Sequence, residues 1–145
     1  MKKIFALKGS TRTGKTKTLK DHLLKKLATL SNSVPIYKSK DEGYDVTVIF
    51  VINNIRVGVS TGGDNAKIID ENVGYLIKEE CEIIISATRT KGGTIDAIKK
   101  LAGKEYLIEW INKSRTDNKN EQQQEELNKS DADIIFNEIK KIVYS

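Results

Sequence analysis

Short apolar runs alternate with amphipathic stretches along the chain. Residues 4–7 are continuously apolar and are soon followed by Gly9, a pattern typical of a strand buried on both faces. Between residues 15 and 30 the leucines recur mainly at intervals of three and four, which predicts an amphipathic helix. The chain is therefore expected to begin with a strand, a glycine-rich loop and a helix.

The middle of the chain predicts a β-hairpin. Residues 46–52 and 55–59 are rich in valine and isoleucine and are separated by two asparagines, Asn53 and Asn54. Asparagine tolerates the positive φ angles that tight hairpin turns require. The preceding residues 31–43 are polar and contain proline and glycine, so we interpret them as a loop.

Helices and strands continue to alternate after the hairpin. Helices are predicted over residues 65–80 and 94–101, the second capped by Thr94, and strands over residues 81–87 and 106–111. This alternation predicts an α/β fold in three layers. Its sheet is expected to be mostly parallel, with about five strands, one antiparallel edge strand and helices on both faces.

The length of 145 residues suits one domain covering residues 1–145. Residues 112–130 are polar and low in complexity, and we interpret them as a loop. Residues 130–133 resemble a capping box, which predicts that the final helix begins there.

Charge and cysteine content narrow the classes of function. The chain has 25 Lys and Arg against 20 Asp and Glu, and this modest basic excess favours anionic ligands. Residues 112–130 mix charges of both signs and do not indicate a nucleic-acid partner. Cys81 is the single cysteine, so an intramolecular disulfide and a multi-cysteine zinc site are both excluded. No apolar run approaches the roughly 20 residues of a membrane span, so a cytoplasmic location and no membrane partner are expected.

The most informative motif is residues 9–16, which match Gly-x-x-x-x-Gly-Lys-Thr in every fixed position. The two glycines allow the backbone to approach a bound anion closely. The N–H groups between them form a concave anion site at a helix N-terminus. Lys15 would reach the β- and γ-phosphates, and the Thr16 hydroxyl would complete a Mg²⁺ shell. The predicted nucleotide-binding residues are Gly9, Ser10, Thr11, Arg12, Thr13, Gly14, Lys15, Thr16 and Lys17.

Residues 3–19 resemble the first unit of the P-loop nucleoside triphosphatases, and the order of elements resembles that of the Ras-like GTPases. The resemblance implies binding of a nucleoside triphosphate with Mg²⁺, and either hydrolysis or a phosphate-sensing switch. Gly63 corresponds to the glycine that touches the γ-phosphate in that family, but Ser60 stands where the family has an acid. The guanine-reading motif Asn-Lys-x-Asp is missing from its place. Residues 128–131 have its letters, which we interpret as coincidence, so ATP is expected ahead of GTP.

A catalytic acid is harder to place, because no predicted strand runs directly into an aspartate. Asp64 is the candidate metal ligand, and the competing interpretation is an N-cap of the next helix. The loop at residues 88–94 is basic and should leave the sheet at the same edge as residues 9–16. Its Arg89 and Lys91 could stabilise charge on a phosphoryl group. The candidate catalytic residues are thus Lys15, Arg89, Lys91 and Gly63.

Three other functions are compatible with these residues. A small kinase would transfer the γ-phosphate to a small molecule held by Arg89 and Lys91. A non-catalytic module, such as a regulatory subunit, would only sense nucleotide, and the missing acid favours it. In a hydrolase the acid would come from Asp64, from Glu109 or from another chain, either a protein partner or a second copy of this one. Residues 10–16 also resemble the flavodoxin phosphate loop, which implies FMN as an alternative ligand.

Overall fold

The computed structural model describes residues 2–10, 13–39, 45–116 and 120–145. Within these ranges six strands form one sheet in the order β2-β3-β4-β5-β1-β6. The strands are β1 (Lys2–Lys8), β2 (Ser33–Lys38), β3 (Thr47–Ile52), β4 (Ile55–Ser60), β5 (Ile83–Thr88) and β6 (Tyr106–Asn112). The helices are α1 (Lys15–Lys17), α2 (Leu24–Ala28), α3 (Ala66–Lys78), α4 (Gly93–Ala102) and α5 (Glu121–Val143), and a π-helical segment, Thr18–Leu23, joins α1 to α2.

The predicted α/β fold is confirmed. Strands β4, β5, β1 and β6 pair in parallel, whereas β3 is antiparallel to both β2 and β4. The predicted hairpin is β3–β4, and its turn residues Asn53 and Asn54 have φ angles of 52° and 69°. Strand β5 lies between β1 and the hairpin, so the loop after β1 neighbours the carboxyl end of β5.

One segment predicted to be a loop is a strand. Residues 33–38 form β2, which pairs with β3 at the edge of the sheet and makes the sheet six-stranded. Most of its residues are exposed, and its register shifts between Pro35 and Tyr37. Because both faces of this edge strand meet solvent, its sequence carries no alternation of buried and exposed positions.

One predicted helix start and one predicted helix cap are wrong. Helix α5 begins at Glu121, well before residues 130–133, and its N-cap is Asn120, whose side chain accepts a hydrogen bond from the backbone N–H of Gln123. Helix α4 is preceded by Gly92, with φ of 86°, and Thr94 lies inside the helix. Polar residues fill the first turns of α5, so an apolar periodicity could not reveal its start.

Each face of the sheet is covered by one layer of helices. On one face the leucines of the π-helical segment and α2 pack with Phe5 of β1 and with Ile135 and Ile139 of α5. On the other face Val73 of α3 and Ile98 of α4 pack against Ile4 and Ile84 of the central strands. The carboxyl ends of β1 and β5 lie side by side at one edge of the sheet, next to residues 9–16, which are called the phosphate motif after their predicted ligand.

Two buried titratable side chains in the core beneath α3 and α4 should make the protein less stable at alkaline pH. Burial raises the pKa of Cys81 from 9.0 to about 12, and the pKa of Tyr106 from 10.0 to about 12. Above pH 9 the unfolded chain therefore releases protons that the folded chain retains, so stability should fall as pH rises toward 12, by up to about 1.4 kcal/mol per pH unit for each group. Urea unfolding between pH 8 and 11 measures this slope. Tyr106→Phe removes one of the two groups and should flatten the slope above pH 10, and an unchanged slope in this variant would contradict the prediction.

Candidate functional site

The phosphate motif lies between the end of β1 and the start of α1. The N–H of Gly9 donates to the carbonyl of Thr88 (3.1 Å), which holds the start of the loop against β5. The hydroxyl of Thr13 donates to the carbonyl of Ser10 across the loop (2.8 Å). Gly14 has φ of 88°, a left-handed conformation that favours glycine, and precedes the first residue of α1. Thr11 and Arg12 of the motif lie outside the described residues.

Lys15 turns back into this loop. Its ammonium donates to the carbonyl oxygens of Gly9 (2.6 Å) and Thr88 (2.9 Å), and only 7% of the residue is exposed. Burial lowers the pKa of Lys15; the charge of Asp64 opposes this shift and that of Arg89 adds to it. Within the described part of the chain no carboxylate forms an ion pair with Lys15. A buried cation is thus held at the loop by neutral acceptors.

Thr16 and Asp64, the candidate metal ligands, line one cavity. This loop cavity has a volume of about 410 Å³. Its lining residues are Gly14, Lys15, Thr16, Lys17, Asp64, Glu121, Gln124, Glu125 and Asn128. The competing interpretation of Asp64 as a helix cap is wrong, because the side chain of Asn65 caps α3 by accepting from the N–H of Ile68 (2.9 Å).

The protein groups near the loop fit Mg²⁺ only in part. Among the described residues no cluster of three or more His, Cys, Asp or Glu side chains could hold a metal ion by itself. Mg²⁺ commonly keeps several waters and binds through one or two carboxylates together with substrate phosphates. Thr16 and Asp64 match that pattern, in which most of the metal's ligands come from the nucleotide and from water.

Gly63 has a packing role in the structure. A Cβ atom at this position would lie 1.9 Å from the carbonyl oxygen of Ala87, so the turn after β4 is pressed against the end of β5. Thr88, the next residue, supplies an acceptor to Lys15. The close approach explains the glycine without a ligand, and a contact between Gly63 and a γ-phosphate stays a prediction.

Arg89 and Lys91 lie at the predicted edge. Lys8 and Thr88 are register partners, so the loops after β1 and β5 leave the sheet side by side. Both basic residues are exposed, and Arg89 is close enough to lower the pKa of Lys15. The backbone N–H of Arg89 donates to the hydroxyl of Thr94, which fixes the start of this basic loop (3.1 Å).

Two residues of α5 that the sequence did not predict contact the loop. The side-chain amide of Gln124 donates to the carbonyls of Thr13 (3.1 Å) and Ser114 (3.3 Å) and to Oδ1 of Asn128 (2.9 Å). Asn128 is buried, and a Cβ atom on Gly14 would lie 2.4 Å from its Oδ1. The glutamine-rich composition around Gln124 suggested a solvated loop, and no signal in the sequence joined it to the motif.

Residues 128–131 lie inside α5 and do not follow a strand. Asp131 pairs with Lys113 at 2.9 Å and accepts from Ser114, so it is bound within the protein. This context differs from that of the guanine-reading motif and agrees with interpreting its letters as coincidence.

One buried hydroxyl at the site has no hydrogen-bond partner in the part of the chain that the structure describes. Oγ1 of Thr88 is fully buried and has no hydrogen-bond partner among the described residues, whereas the carbonyl of the same residue binds Lys15. An unsatisfied buried hydroxyl costs about 1–3 kcal/mol, and such groups are uncommon in folded proteins. The sequence pattern places Thr88 in the basic loop, and nothing in that pattern marks it as a functional residue.

The sequence matches no protein-family model, and neither a search of curated proteins nor a search of solved structures finds a match. None of the helices in the described ranges has the length and apolar character needed to cross a membrane.

Proposed function

We propose that this chain binds a nucleoside triphosphate with Mg²⁺, seating the phosphates on residues 9–16. The observation that carries the proposal is the buried ammonium of Lys15, held by two carbonyl oxygens and by no carboxylate in the described part of the chain. Desolvation makes an incompletely paired buried cation unfavourable, and an anionic ligand offsets this cost. Helix N-termini and consecutive backbone N–H groups favour phosphate at the same place.

The residues around Lys15 support a role for the metal. Thr16 supplies a hydroxyl for direct coordination, and Asp64, facing the same cavity, is suited to hold a metal-bound water. When bound, Mg²⁺ would neutralise charge on the β- and γ-phosphates. Arg89 adds an exposed positive charge at the same edge of the sheet, where it can stabilise charge that develops during phosphoryl transfer.

Slow hydrolysis or a phosphate-sensing switch fits these residues best. Strand β4 ends at buried Ser60, whose hydroxyl donates to the carbonyl of Gly62 at 3.5 Å, so no carboxylate follows directly from that strand. Asp64 is then the nearest acid along the chain to activate water, and it is exposed. A general base must be held within hydrogen-bond reach of the proton that it removes, and an exposed side chain is poorly fixed for this, so turnover is expected to be slow.

Calorimetric titration with Mg·ATP, Mg·GTP and FMN tests the proposal. Lys15→Ala should weaken triphosphate binding by about 100-fold, because charge-assisted hydrogen bonds to phosphate are among the strongest that proteins form. Lys25→Ala, at an exposed position on the following helix, should bind like the wild type. Wild-type protein that binds neither triphosphate would contradict the proposal, and binding of FMN alone would favour the flavodoxin-like alternative.

A further inference from the structure

The loop cavity has one wall that belongs to the phosphate motif and a second that does not. Residues 14–17 form the first wall, and the second consists of Glu121, Gln124, Glu125 and Asn128 on α5. Its volume of about 410 Å³ lies within the range of small-molecule sites, which is roughly 300–1,000 Å³. The cavity therefore offers room for more than a phosphate chain.

Helix α5 is fixed in place against the motif. Gln124 donates to Thr13, and Asn128 lies in close contact with Gly14. Glu125 pairs with His22 of the π-helical segment, and Lys26 of α2 pairs with Asp133 at 2.6 Å. A wall held by contacts along its length is pre-organised for binding, which reduces the entropy lost when a ligand enters.

A triphosphate seated on residues 9–16 must place its nucleoside in an adjoining space. The loop cavity begins at Gly14 and includes Lys17, so it adjoins the motif directly. A second cavity, of about 400 Å³, is lined by Ser39, Asp45, Val46, Thr47, Ile68, Glu71 and Asn72 and by no residue of the motif. The first cavity is therefore the better place for the nucleoside.

The chemistry of the α5 wall matches hydrogen-bond donors. Carboxylates accept hydrogen bonds only, and Glu121 and Glu125 present two of them to the cavity. None of the described lining residues is aromatic, so the wall is built for hydrogen bonding and not for stacking. The neutral donors of a nucleoside triphosphate are its ribose hydroxyls and the N–H groups of its base.

We propose that the nucleoside of the bound triphosphate lies in the loop cavity, where Glu121 and Glu125 accept hydrogen bonds from its hydroxyl or N–H groups. This inference rests on the proposed function and adds a specificity-determining surface to it. Glu121 is exposed and is not part of an ion pair in the described residues, so its carboxylate is available to a ligand. His22 contacts Oε1 of Glu125, so we assign the ligand's hydrogen bond to Oε2 of this lining residue.

The test compares Mg·ATP with Mg·tripolyphosphate, which has the phosphate chain without the nucleoside. Calorimetry gives both affinities for the wild type, Glu121→Ala and Glu125→Ala. The general repulsion between a carboxylate and a phosphate chain acts on both ligands and largely cancels in their ratio. We expect the ratio of ATP to tripolyphosphate affinity to fall about tenfold in each variant, as loss of a hydrogen bond to a charged group predicts.

Glu126→Ala is the matched control, since Glu126 is exposed on the same helix and does not line the cavity. Its ratio should equal that of the wild type. A ratio unchanged in both Glu121→Ala and Glu125→Ala, with both ligands bound, overturns this inference and leaves the phosphate-binding proposal standing. Failure of the wild type to bind either ligand overturns both.

Two further ligands separate the sources of the donors. If the ribose hydroxyls are bound, the wild type should bind Mg·2′,3′-dideoxyATP about tenfold more weakly than Mg·ATP. Each glutamate variant should then bind these two nucleotides with equal affinity. If the base is bound, the triphosphate of purine riboside, which lacks the exocyclic amine of adenine and has no other N–H on its base, should show that pattern instead. Equal binding of all three nucleotides by the wild type counts against recognition by either carboxylate.

Discussion

Gly63→Ala is expected to destabilise the protein by about 3 kcal/mol or more. The added Cβ would lie 1.9 Å from the carbonyl oxygen of Ala87 and 2.4 Å from its carbonyl carbon, which are backbone atoms of β5 that no side-chain rotation can move away. Overpacking of a close contact commonly costs about 1–3 kcal/mol, and a backbone atom makes relief harder. Urea unfolding of the purified variant measures the loss.

The same substitution should weaken binding at the phosphate loop. Relief of the overlap must shift the turn at Gly63 or the end of β5, and a shift of β5 displaces the carbonyl of Thr88 that accepts from Lys15. Gly74→Ala is the control: at Gly74, in α3, the nearest atom that a Cβ would meet is 3.9 Å away. That variant should gain about 0.5–1 kcal/mol from helix propensity. A Gly63→Ala protein as stable as the wild type would show that the turn is not tightly packed.

Local patterns predicted much of this fold. The two asparagines between the apolar runs fixed the β3–β4 turn, because their side chains tolerate the positive φ angles found there. The phosphate motif is contiguous in sequence, so its residues could be assigned before the fold was known. The strand order could not be read in this way: β5 enters between β1 and β4, and no local pattern specifies which neighbours a central strand selects.

The contacts between α5 and the phosphate motif could not be predicted from a local pattern. Gln124 and Thr13 are 111 residues apart in sequence, and their hydrogen bond joins a side-chain amide to a backbone carbonyl that any residue would present. The first turns of α5 pack on the loop through such polar contacts and not through an apolar stripe, so they resemble a solvated linker in composition. The sequence alone could likewise not show that Asn65, and not Asp64, caps α3. Both residue types are good helix caps, and only geometry distinguishes them.

The second large effect is expected from Asp131→Ala, which should destabilise the protein by about 3–5 kcal/mol. The side chains of Lys113 and Asp131 are 0% and 3% exposed, and their charged atoms lie 2.9 Å apart. Removing the carboxylate leaves the ammonium of Lys113 buried with the carbonyl of Ser114 as its acceptor, and the N–H and hydroxyl of Ser114 lose their acceptor as well. Breaking a buried pair by removing one partner is costly because the remaining charge stays desolvated.

Two further variants test whether the loss in Asp131→Ala comes from the buried charge of Lys113. Glu138→Ala removes an exposed pair with Lys141 on the same helix and should change stability by less than about 0.5 kcal/mol. Lys113→Met combined with Asp131→Leu removes both charges and should recover much of the loss, since apolar side chains of similar size can replace a buried pair. Equal effects of Asp131→Ala and Glu138→Ala would mean that the Lys113 pair is solvated. The buried pair anchors α5 beside Lys113, whose N–H extends the β1–β6 pairing by donating to the carbonyl of Lys8 at 2.7 Å. Loosening α5 should then weaken ATP binding more than tripolyphosphate binding, because the nucleoside wall moves with the helix.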